Sequence, residues 1–110
     1  MAPMLVLFDH SVPAPLRHHL QKHVVEEARD RGWDRLSNGD LLTAAEGAGF
    51  DVLITADKNI RYQQNLSGRN IAIVELSTPR WPVVRLQTEK VASALDAATP
   101  GSYVQVDLPD

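Results

Sequence analysis

Apolar residues fall in short runs that alternate with segments of helical periodicity. Met4 to Phe8 is continuously apolar, the pattern of a strand covered on both faces, and Asp9-His10-Ser11 ends it. Pro13 and Pro15 suit a helix start, with Leu16 and Leu20 one turn apart. His23 to Ala28 reads as a short second strand, and Arg29 to Leu36 as a polar loop holding Trp33. Ser37-Asn38-Gly39-Asp40 opens a helix through Ala48; Ser37 and Asp40 have capping-box spacing, and Gly49 is placed to stop it. Val52 to Thr55 is a third strand. Asn59 caps a helix of about two turns that ends before Gly68. Ile71 to Leu76 is a fourth strand. Pro82 starts one long helix to Ala98, with Val84, Val91, Leu95 and Ala98 near one face. Tyr103 to Leu108 alternates, as an edge strand or an ordered tail does.

Strands alternating with helices predict an α/β fold: a three-layer sandwich around a mostly parallel sheet of four to five strands. Right-handed crossovers favour the order 2-1-3-4 with the last strand at an edge. A single domain over 1–110 is expected, with a core at 4–98 and an edge strand or tail at 99–110. Strands 1 and 3 are then neighbours across the point where the chain reverses direction. The cleft outside the carboxyl ends of the strands at such a point is where α/β sheets bind ligands.

Composition narrows the chemistry. There is no cysteine, so disulfides and thiolate metal sites are excluded and a reducing, cytoplasmic setting is expected. No apolar run is long enough to span a membrane. The net charge of −3 argues against a general nucleic-acid binder. Its distribution is uneven, however: residues 58–90 carry six bases against two acids, a weak pointer to a polyanion partner.

Strand order gives the carboxylates a meaning. Asp9 follows strand 1, Asp57 follows strand 3, and Asp40 starts the helix after strand 2, so all three are expected at one edge of the sheet. Like charges held close repel, and a cation relieves them. An all-oxygen set suits Mg²⁺ or Mn²⁺, which deprotonates water and neutralises charge on a phosphodiester. Thr55 would support Asp57, and Lys58 and Arg61 would hold phosphates. Each residue also has a plainer reading: Asp57 as a helix cap or a partner of Lys58 or Arg61, Asp40 as a complement to the helix dipole, Thr55 as an ordinary strand residue.

At these residues the chain resembles the PIN-like domain family, in particular its small bacterial branch of VapC-type toxin ribonucleases. The resemblance rests on Leu5-Val6-Leu7-Phe8-Asp9, then Asp40-Leu41-Leu42-Thr43-Ala44-Ala45, then Leu53-Ile54-Thr55-Ala56-Asp57, and covers roughly residues 4–76. It implies a Mg²⁺- or Mn²⁺-dependent endoribonuclease, the toxin of a toxin–antitoxin pair, with Asp9, Asp40 and Asp57 on the metal. RNA, a cognate antitoxin protein and a second copy of the chain are the implied partners. Three departures stand beside it. The family's additional acid is not placed by motif, although Glu26, Glu27, Asp30 and Asp34 fall in its interval. His10 stands where an acid or amide is usual, and helices of full-size members are missing. Two other functions compete: a PIN-like partner-binding module without catalysis, and a phosphoacceptor receiver domain. The receiver is disfavoured because His10 replaces the paired acid and the last strand has no lysine after it.

Overall fold

A computed structural model of the chain describes residues 3–60 and 68–109. Five strands form one wholly parallel sheet: β1 (Leu5–Phe8), β2 (Val24–Glu27), β3 (Val52–Thr55), β4 (Ala72–Leu76) and β5 (Tyr103–Val106), in the order β2-β1-β3-β4-β5. The expected order is therefore present, and the alternating C-terminal segment is an edge strand. Strands β3 and β4 are buried at every residue, which is why they read as continuous apolar runs rather than alternating ones.

Helical segments lie on both faces. Val6, Phe8, Val52, Ile54 and Val74 pack against Leu16 and Leu20 of a 3₁₀ segment (Ala14–His19) and its end, and against Val84, Val91 and Leu95. Leu7, Leu53 and Ile73 point the other way, onto Leu41, Leu42 and Ala45 of helix α1 (Asn38–Gly47). Ser37 caps α1, its hydroxyl accepting the Asp40 N–H at 3.3 Å. Gly49, at φ +86°, takes the left-handed conformation that turns the chain after the helix toward β3.

Two expectations change. The long helix from Pro82 to Ala98 is two helices, α2 (Trp81–Val84) and α3 (Thr88–Asp96). Val84 and Val91 stand seven residues apart, a spacing that also fits one unbroken helix, so periodicity alone hides the break. Gln87 sits between them at φ −135°, and its side-chain amide donates to the Val83 carbonyl at 3.2 Å and to the Pro109 carbonyl at 2.9 Å. The segment after Pro13 is a 3₁₀ turn rather than a full helix. The helix expected after Asn59 lies outside the described residues, as does Arg61. Among the described residues no helix is long and apolar enough to cross a membrane.

Candidate functional site at the carboxyl ends of the strands

The face that carries α1 has an apolar row across the sheet, Leu7–Leu53–Ile73–Tyr103. Side chains alternate along strands, so the next row on that face holds Asp9, Thr55, Glu75 and Gln105. The polar row lies at the carboxyl ends. Three of its members are withdrawn from solvent: Asp9 is 4% exposed, Thr55 0% and Glu75 1%. Burying such groups is costly unless they are hydrogen-bonded. No buried side-chain polar atom among the described residues lacks a partner.

Asp9 is fixed from two strands. Its N–H donates to the Ile54 carbonyl at 3.1 Å, which carries the β1–β3 ladder one residue beyond β1. One carboxylate oxygen accepts the Ser11 N–H at 2.9 Å and the Ser11 hydroxyl. The other accepts the Thr55 hydroxyl. The Ser11 oxygen in turn accepts the Ala56 N–H at 2.9 Å, so the loops after β1 and β3 are stitched together.

Thr55 joins the two strand tips. While its hydroxyl donates to Asp9, its oxygen accepts the Asp57 N–H at 3.0 Å. The Asp57 carboxylate accepts the Asn59 N–H at 2.9 Å and the Asn38 side-chain amide at 3.0 Å. The Asn38 amide contributes most, then the Asn59 N–H, and nearby His10 adds a smaller effect. Together they hold the Asp57 carboxyl below the usual aspartate range, against the opposing effect of partial burial. Asp57 is thereby an ionised acceptor at neutral pH.

The structure brings Asp9, Thr55 and Asp57 together. It does not gather three carboxylates. Among the described residues no three of His, Cys, Asp and Glu are placed to hold a metal ion between them. Asp40 is exposed in the first turn of α1. Helix phase explains the difference: Asn38, the first residue of α1, is the one turned toward Asp57, and two residues later the helix has rotated by about 200°. The amide of Asn38 therefore occupies the place expected for the Asp40 carboxylate. Lys58 is exposed beside Asp57, at the same edge.

Sequence reasoning missed Ser11, Asn38 and Glu75. Ser11 follows Asp9 by two residues, the spacing at which a hydroxyl and an N–H close onto an acid, so its signal was readable. Asn38 was read only as part of the helix start. Glu75 was a lone charge within an apolar run, and that contrast was its signal. Searches of protein-family models, of curated proteins and of solved structures returned no match to this chain.

Proposed function

We propose that the chain is a PIN-like domain that cleaves RNA at the carboxyl edge of its sheet, with a divalent cation taken by Asp9 and Asp57. The observation that carries this reading is the Thr55 hydroxyl, which ties a buried carboxylate on one strand to the backbone beneath a second carboxylate on the next. Such a tie supports two acids working together at the carboxyl edge, the edge at which α/β sheets bind ligands.

The residues fit a sparse cation site and do not fit a three-carboxylate cage. Mg²⁺ commonly takes one or two carboxylates, keeps several waters and completes its shell with substrate phosphates. A carboxylate oxygen accepts two bonds. One Asp9 oxygen is filled by Ser11, the other retains a lone pair beside Thr55, and each Asp57 oxygen retains one. A bound ion would supply an activated water and a counter-charge for the phosphodiester. The chain's own residues do the rest. Thr55 and Ser11 orient Asp9, Asn38 orients Asp57, and Lys58 offers a cation to the RNA backbone. Antitoxin partnership, homodimerisation and a cytoplasmic setting belong to this reading.

Cleavage of a mixed single-stranded RNA in Mn²⁺ tests it. Cleavage should require the metal and fall by at least about a hundredfold in Asp57→Asn, the scale of losing transition-state stabilisation at one charged group. Undiminished cleavage in that variant refutes the assignment.

The second reading is a PIN-like partner-binding module without catalysis. Saturation of one Asp9 oxygen and the missing third acid favour it. Calorimetric titration separates the two, because heat with millimolar Mn²⁺ belongs to the nuclease and no heat to the inert module.

A further inference from the structure

The amino edge of the sheet, opposite the proposed site, holds a histidine with no part in that chemistry. His23 closes the turn into β2, its N–H donating to the Leu20 carbonyl at 3.0 Å. Its side chain is only 5% exposed, and both ring nitrogens are engaged. Nδ1 lies 3.0 Å from the Met4 backbone nitrogen, and Nε2 lies 3.2 Å from a carboxylate oxygen of Asp96 at the end of α3. These partners fix the ring hydrogen. A backbone N–H can only donate, so Nδ1 is a bare acceptor. An ionised carboxylate can only accept, so Nε2 carries the hydrogen. His23 thus joins the start of β1 to the end of α3 as a neutral ring.

Met4 is held by little else at this point. Its carbonyl accepts the Val24 N–H at 3.0 Å, the first rung between β1 and β2. Among the described residues, Asp96 is the one charged group in ion-pair contact with the ring. Lys22 beside it in the chain is exposed, as are His18 and His19 of the preceding 3₁₀ segment. Asp51, ahead of β3, is engaged on the other side of β1, where it accepts the Leu5 N–H at 2.8 Å. We infer that His23 is a proton-sensitive latch, and that protonation at Nδ1 expels the Met4 N–H and frees the amino end of β1. The protonated ring has a donor on each nitrogen. Asp96 keeps its partner and carries the counter-charge. Nδ1–H then faces the Met4 N–H, two donors with no acceptor between them. Met4 gives way, because it lies ahead of β1 while the ring stays paired with α3. Imidazole ordinarily changes charge between pH 5 and 8, so mild acid is the trigger.

This inference stands apart from the nuclease reading, and neither depends on the other. NMR of the isotopically labelled full chain tests it. At pH 8 the ring nitrogen shifts should report the tautomer with hydrogen on Nε2. Between pH 8 and pH 5 the protection of the Met4 amide against hydrogen exchange, corrected for intrinsic rates, should fall about tenfold, the scale of one lost hydrogen bond. Val24 should follow at smaller size. The Ala72 amide, which donates to the Asp51 carbonyl at 2.9 Å within the same sheet, should hold steady. His23→Asn keeps an acceptor near the place of Nδ1 and has no proton to gain, so its Met4 protection should be flat with pH. Hydrogen on Nδ1 at pH 8 overturns the inference, as does unchanged Met4 protection between pH 8 and pH 5 in the wild-type protein. An equal fall in His23→Asn also overturns it, since acid would then act elsewhere. If His23→Asn does not fold, the two wild-type measurements decide by themselves.

Discussion

Thr55 illustrates how much one small side chain carries at this edge. Its methyl fills the sheet face, while its hydroxyl serves Asp9 and the Asp57 N–H at once. Thr55→Val keeps the shape and leaves both partners short of a bond in a buried place. Urea unfolding should report a loss of about 2 kcal/mol, within the range for stranded buried polar groups. Asn38 offers a sharper contrast with Asp40. Asn38→Asp puts a carboxylate against Asp57, where like charge raises the Asp57 pKa in the free protein and a divalent ion relieves the strain. Mn²⁺ titration of Asn38→Asp should show tighter binding than wild type, by about tenfold for one added ligand charge. Asp40→Asn, on the far side of the helix, should leave the affinity within about twofold of wild type, since an exposed charge outside the cluster is screened.

Among the elements, α1 is the one that must be held, because it aims Asn38. Ser37 fixes its start, and Glu46 anchors its far end to the approach to β4. The Glu46 carboxylate accepts the Asn70 N–H at 2.9 Å and the Arg69 guanidinium at 3.0 Å. The Asn70 bond, the largest effect, and the Arg69 pairing together hold the Glu46 carboxyl below its ordinary 4.5, against the opposing effect of burial. A depressed carboxyl pKa stabilises the fold above the unfolded value and ceases to as pH falls through the folded one. The stability gap between wild type and Glu46→Gln should therefore be full at neutral pH and should close below the ordinary glutamate value. Urea midpoints between acid and neutral pH measure it, and a gap that widens on acidification would contradict the sign.

At the scale of the whole molecule, the sequence made the sheet legible and the site only partly so. Parallel strands buried on both faces announce themselves as apolar runs, and crossover handedness leaves few ways to order them, so β1 to β4 and the edge position of β5 followed. Asp9, Thr55 and Asp57 were legible because they sit at strand tips, where direction is set by the strand itself. Asn38 was not, because helix phase near a cap depends on where the first turn begins, and a shift of two residues moves a side chain to the opposite face. Glu75 stood out as a charge, but its partners Tyr103 and Gln105 lie about thirty residues away and become neighbours only through sheet register. The break between α2 and α3 was hidden because Val84 and Val91 keep a helical spacing across it.

The central claim is that the tips of β1 and β3, joined by Thr55, form one cation-binding place. Paramagnetic broadening of backbone amide signals by sub-stoichiometric Mn²⁺ tests it most directly. Broadening should begin at residues 9–11 and 55–58 and at Asn38, and should be lost in Asp57→Asn. First broadening at the Glu26 and Glu27 edge of β2, or equal broadening in wild type and Asp57→Asn, would contradict it.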